Sequence, residues 1–383
     1  MLALAFLLPV AVGWGIYEIF SPEDDNSKSA NDEYIGTDDP NNLDGRAGND
    51  TLNGLEGKDT LDGGYGNDVI DGGEGSDLLL GGSGHDIVNG GANNDYIFGG
   101  FGDDTLDGGS GSDSIFAEVG EDLVDAGDGN DFIDGGNNND ILGGGNGADI
   151  ILGGNGDDIL LGNNNNDDLK GRVGDDILVG GGGADELAGG QGNDTLMGAG
   201  YYLGQGGSET GDRSAEFMAA LKAAKEDPAL IEQYNNLTQK TDNLFIASNY
   251  FANVEQSTAG LDEVDGADTL YGGPGDDVLH IASDDVAYGG EGSDEFNVHT
   301  SQMLVSASAP VIEFFEPTED RIVITYDPTA FSGTPTVTYA VSADQVVVNL
   351  NGSAVATLPG SYTEAQIASQ VSLQQQNPTL VTS

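Results

Sequence analysis

The chain has 383 residues, long enough for two or three domains, and no cysteine, which excludes disulfide staples, thiolate zinc sites and a cysteine nucleophile. Ten Lys and Arg stand against 67 Asp and Glu, a formal charge of −57, so nucleic acid is excluded as a partner and anionic lipid is repelled. The 63 glycines, more than twice the usual share of ~7%, would suit an acidic disordered chain unless their arrangement is periodic.

Residues 1–17 carry no charged side chain, and Glu18 is followed by Ile19-Phe20. This hydrophobic segment, 1–20, is a marginal membrane span at about 1.5 Å per residue. It lacks the basic flank of a secretory signal, although Ala11-Val12-Gly13 would serve as a cleavage site. An N-terminal membrane anchor is the preferred expectation, with a cleaved signal or a buried end as alternatives. Residues 21–35 read as a polar linker, and Gly36–Asp44 as a degenerate first repeat, with Asn41 at the acidic position and Leu43 inward.

From Gly45 to Met197 the sequence divides into seventeen consecutive nine-residue units without insertion or deletion. GGYGNDVID (63–71) and GGNGDDILL (153–161) are typical. The sixth position is always Asp: Asp50, Asp59, Asp68, Asp77, Asp86, Asp95, Asp104, Asp113, Asp122, Asp131, Asp140, Asp149, Asp158, Asp167, Asp176, Asp185 and Asp194. The eighth is always Leu, Ile or Val. The last three residues of a unit suit a very short strand with its middle side chain inward. The six before them reverse the chain, and glycine at positions one, two and four permits the positive φ this needs. Asn replaces Gly at position four only at Asn93, Asn138 and Asn165, as left-handed geometry allows. Position two is looser, with Arg46, Leu55, Glu118, Asn163 and Arg172, and a less constrained backbone is expected there.

Turns and short strands without helices predict a solenoid with two units per 18-residue coil, a thin aliphatic core, and a rod about 40 Å long at roughly 4.8 Å per coil. Aspartates of alternate units then stack one layer apart, a column of like charge that disfavours the fold unless neutralised. Carboxylates with glycine-turn carbonyls form an all-oxygen, flexible donor set suited to Ca2+. The absence of Cys and the three His argue against zinc or copper. Such a site forms only as the turns stack, so binding energy is folding energy.

These units match G-G-x-G-x-D-x-U-x, and the chain resembles the RTX, or hemolysin-type, calcium-binding nonapeptide repeat proteins of bacteria. The resemblance implies a parallel β-roll with multiple Ca2+ held between turns by turn carbonyls and the sixth-position Asp of adjacent coils. It also implies type I export and folding by calcium outside the cell. The match is weakest at Ala117-Glu118-Val119 and at Gly162–Asn166, where glycines are missing.

Residues 201–262 break the period. Ser214 is placed to cap a helix through Phe217, Met218 and Leu221, and Asp227-Pro228 to start a second through Leu230, Ile231, Tyr234 and Leu237. This predicts a helical insert. A second short repeat block spans 263–297, with Asp268, Asp277 and Asp294 as further candidate ligands. The eight-residue stretch Ile281–Tyr288 shifts its last unit out of phase. From 298 to 383 β-branched runs, VIEFF (311–315), RIVITY (321–326), TVTYAV (336–341) and QVVVNL (345–350), predict an antiparallel β cap with a hairpin at Asn351-Gly352. The resemblance places a secretion signal in this stretch.

The expected class is therefore all-β: a parallel β-roll solenoid (36–200) with a helical insert and a C-terminal antiparallel cap. No catalytic motif stands out. There is no H-E-x-x-H and no G-x-S-x-G; His85, His280 and His299 are scattered, and the glycine pairs precede strands rather than helices. A non-enzymatic calcium-dependent structural, surface or adhesion module outside the cell is the expectation. The alternative is a lectin-like or polysaccharide-acting protein with a cell-surface or glycan partner. Tyr65, Tyr96, Phe98, Phe101 and Phe116 look scattered, which favours the first.

Overall fold

The structure, a computed structural model, describes residues 31–199, 267–300, 308–326 and 334–375. The hydrophobic segment 1–20, most of the linker and the expected helices of 201–262 lie outside the described residues. Among the described residues no helix is long and apolar enough to cross a membrane.

The fold is a β-solenoid of two walls. One is a 14-stranded sheet and the other a 15-stranded sheet, and up to Arg321–Tyr326 consecutive strands alternate between them. Strands 18 residues apart pair in parallel and in register, as Val69–Glu74 does with Ile87–Ala92. Each unit contributes more strand than its three hydrophobic-end residues. In Val69–Glu74 the glycine pair of the next unit belongs to the same strand, so only positions four to six turn.

Burial explains the repeat residue by residue. Along one strand inward and outward positions alternate: Asp68, Ile70 and Gly72 are buried, while Val69 is exposed and Asp71 and Gly73 are partly exposed. Positions six, eight and one thus line the interior, and the eighth-position aliphatics form its apolar column. Position two is not relaxed. Arg46, Leu55, Glu118, Asn163 and Arg172 all hold φ between 73 and 83°, so the column keeps its left-handed geometry even where the side chain pays a steric cost.

The roll begins earlier than the linker reading placed it, because Glu33–Ile35 pairs with Thr51–Asn53. It also continues through the insertion. Glu186–Gln191 pairs directly with Thr269–Pro274, and Thr195–Ala199 with Val278–Ile281. The two repeat blocks therefore stack as one solenoid.

At the C-terminal end antiparallel pairing is narrower than the sequence suggested. Val311–Glu313 and Arg321–Tyr326 extend the two parallel walls, and Val371–Gln375 closes the first. RIVITY is buried at four of six positions, as a strand covered on both faces requires. Val337–Val341, Gln345–Leu350 and Ser353–Pro359 form the antiparallel meander. The hairpin at Asn351-Gly352 has φ of 52 and 90°, as expected for a two-residue turn with both central residues at positive φ. A short helix, Glu364–Ala368, starts from a capping box of Thr363 and Gln366 and buries Ile367. Here the core broadens from single aliphatics to Phe296, Phe315, Ile322, Ile324, Val346 and Leu358.

Candidate metal centres

Every sixth-position aspartate from Asp50 to Asp194 is buried, as are Asp268, Asp277 and Asp294. Oδ1 of each accepts the backbone N–H of the residue one coil earlier, Asn41 for Asp59 and an aspartate for the others, as from Asp50 to Asp68 at 2.7 Å, Asp95 to Asp113 at 2.7 Å and Asp158 to Asp176 at 2.8 Å. The ladder runs straight across the insertion, from Asp185 to Asp268 at 2.9 Å and from Asp194 to Asp277 at 2.7 Å. Asp268 and Asp277 therefore have full coil neighbours.

The second oxygen differs. Oδ2 of Asp59, Asp68, Asp95, Asp131, Asp158 and Asp176, among others, is buried and accepts no hydrogen bond. An ionised oxygen left so costs several kcal/mol, about what a missing strong partner would restore. In most units the space beside it is kept open by a first-position glycine, with Ala117 and Ala126 as the two exceptions. A Cβ on Gly153 would lie 2.5 Å from Oδ2 of Asp158 and 2.8 Å from the carbonyl oxygen of Gly171 in the next coil. Gly63 faces Asp68 Oδ2 and the Gly81 carbonyl in the same way, at 2.5 and 2.7 Å. A carboxylate oxygen and a glycine carbonyl thus converge on the same ground turn after turn. Among the described residues no group of three His, Cys, Asp or Glu forms a metal cluster; the donors beside Oδ2, as at Asp68 and Asp158, are backbone carbonyls. The donors are oxygen throughout and the turns are glycine-flexible, which fits calcium. When bound, it supplies positive charge between layers of carboxylate.

Without that charge the carboxyls resist ionisation. Burial raises Asp86, Asp113 and Asp149 to about 6, Asp95, Asp131, Asp158, Asp176 and Asp194 to about 7, and Asp167 to about 8, with the backbone N–H bond of the preceding coil opposing the rise.

A second ladder runs along the outer edge of the turns in the opposite sense. Fifth-position side chains accept from the N–H one coil later, as Asn49 does from Asn67 at 3.1 Å and Asp157 from Asp175 at 2.9 Å. His85 belongs to it, its Nδ1 accepting from the N–H of Asp103 at 2.8 Å.

Sequence reasoning missed two members of the inner column. Asp285 accepts from Asp268 N–H and Asp320 from Asp294 N–H, both at 3.2 Å, but these residues lie outside the nine-residue phase. Their second oxygens are satisfied within their own turns, by Ala282 N–H and Glu316 N–H, both at 2.7 Å. Asn41 at the other end does likewise, its Oδ1 accepting from Thr37 N–H at 2.6 Å. Turns with an open carboxylate oxygen are thus bracketed by turns that close on themselves.

Two further groupings emerge only in three dimensions. His280 and His299, distant in sequence, meet with Nδ1 and Nε2 3.0 Å apart, and burial lowers them to about 4 and about 3, so both are neutral. Phe98 stacks on Phe116 with ring centres 5.0 Å apart, and Phe116 meets Phe132 at 5.6 Å. The aromatics are not scattered.

A solved structure described as a hyperactive, Ca2+-dependent, beta-helical antifreeze protein from an Antarctic bacterium is similar at 16% identity over 82% of this chain and 88% of that one, with a TM-score of 0.27. No curated protein sequence matches significantly. The pattern of the RTX calcium-binding nonapeptide repeat (4 copies) matches from residue 29 to 196 in overlapping stretches and again at 264–280 and 282–298. The inner column of aspartates lies within these stretches from Asp50 to Asp294, and the chain belongs to the RTX calcium-binding nonapeptide repeat family.

Proposed function

We propose that the protein is exported and folds outside the cell on calcium, serving there as a structural, surface or adhesion module rather than an enzyme. The ligands in this reading are the sixth-position aspartates Asp50 to Asp194 with Asp268, Asp277 and Asp294, joined by glycine-turn carbonyls. The observation that carries it is the buried Oδ2 facing a backbone carbonyl across a narrow space, repeated from turn to turn. Extracellular sites of this kind bind at about 10⁻⁴–10⁻³ M, so the roll would be loaded outside the cell and empty in a calcium-poor cytosol. Export through the C-terminal stretch belongs to this reading; anchoring through residues 1–20 is a competing proposal, because it calls for a different export route.

Circular dichroism of the full chain during a calcium titration tests it. The expected result is a coil-to-β transition in the sub-millimolar to millimolar range, reversed by chelator and weakly supported by Mg2+. At pH 8, a chelated chain as rich in β structure and as protease-resistant as the loaded one would refute it.

A further inference from the structure

We propose that the outer face of the 15-stranded sheet carries a binding site for a small quaternary ammonium compound, in the trough between Tyr65 and Phe101. The trough is open, about 330 Å³, and is lined by Asp62, Tyr65, Ser83, Phe98, Phe101 and Glu118 over a floor that includes Gly64, Gly82 and Gly100. Its floor follows from the repeat: the second-position residues Gly64, Gly82, Gly100 and Glu118 are paired in register, so the glycines make a channel and Glu118 ends it. Glu118 stands there at φ 77°, where glycine is the usual residue.

The walls select the ligand. Tyr65 pairs with Ser83 and Ser83 with Phe101, so the two rings stand two coils apart, roughly 10 Å, with a small residue between them. A group held midway lies about 5 Å from each ring, inside the roughly 6 Å reach of a cation–π contact. Tyr65 and Phe101 are 71% and 63% exposed, the former more so than Tyr96 or Ile150 on the same sheet. Asp62 and Glu118 line the same trough, and the chain's charge of −57 attracts cations to it. Charge and ring spacing together favour a bulky, weakly hydrated cation.

Isothermal titration of the full chain in saturating calcium with choline, and with its uncharged isostere 3,3-dimethylbutan-1-ol, tests the site. Choline is expected to bind about tenfold more tightly than the isostere, and Tyr65→Ala or Phe101→Ala to lose about tenfold. Phe101→Leu, which keeps apolar bulk without the ring, is expected to lose nearly as much, and the calcium-induced dichroism transition of each variant reports its folding. Equal binding of the isostere, full binding by Phe101→Leu, or binding of neutral oligosaccharides without choline would each overturn the proposal.

Discussion

The backbone N–H of Asp158 donates to Oδ1 of Asp176 one coil on, 2.8 Å away, while Oδ2 of Asp176 is buried without a partner. One carboxylate thus does two things. One oxygen sets the stacking register; the other is available to a cation. Substitutions can separate the two roles. Asp176→Asn keeps an acceptor for Asp158 and removes the charge. It is expected to raise the calcium midpoint severalfold and to leave the chelated chain unchanged. Asp176→Ala also strands the Asp158 amide, costing about 1–3 kcal/mol more in the loaded state. Thermal melts in saturating calcium measure the difference between the two.

The pH response of the chelated chain follows from the raised carboxyls. Asp95, Asp131, Asp158, Asp176 and Asp194 near 7 and Asp167 near 8 lie well above the unfolded carboxylate range. The folded state then holds more protons than the unfolded one, so their stabilisation is full below about pH 4 and is lost as pH rises through 6 to 8. In chelator, β structure is expected at pH 4–5 and lost by pH 8. In calcium the order reverses, because the ligands bind deprotonated. Dichroism at both pH values, with and without chelator, tests the pair; a chelated chain that gained β structure with rising pH would contradict the first half.

Gly153 is the residue that keeps space beside Asp158. Gly153→Ala would place a methyl carbon 2.5 Å from Oδ2 of Asp158 and 2.8 Å from the Gly171 carbonyl. It is expected to weaken calcium binding at that layer severalfold, although its backbone lies outside the left-handed region and Ala117 and Ala126 occupy the same position in other units. Calorimetric counting of bound calcium should show fewer sites than in the unaltered chain.

Asp285 marks the end of the open column. Its two oxygens accept from Ala282 and Asp268 N–H, so neither needs metal. Asp285→Ala is expected to destabilise the C-terminal coils by about 1–3 kcal/mol for each buried amide that loses its acceptor, without lowering the number of calcium ions bound. Hydrogen exchange of residues 278–299 in saturating calcium measures the first, and calorimetric counting the second; a loss of bound calcium would count against a self-closed turn.

Much of this was legible in the order of residues. A period of nine with Asp at six and an aliphatic at eight specifies a two-walled coil, because side chains alternate along a strand and one face must be apolar. It also specifies the inner column and the calcium chemistry that follows from crowding carboxylates. The hairpin at Asn351-Gly352 was equally plain, since few other pairs take positive φ twice. Where phase was lost, as at Asp285 and Asp320, local reading failed, because their place in the column is set by coil stacking and not by spacing.

Tertiary structure decided the rest. It joined two repeat blocks into one roll by stacking Asp268 on Asp185 across the insertion, which no spacing reveals because pairing acts through space. It turned RIVITY into a parallel wall strand, since a run of β-branched residues states burial on both faces but not the direction of its neighbour. It showed position two to be strictly left-handed at Arg46 and Glu118, because a backbone shared with the coils above and below cannot relax for one side chain. And it gathered Tyr65, Phe98 and Phe101 around one trough, since residues scattered along the chain become neighbours only when an 18-residue coil returns each to the same face.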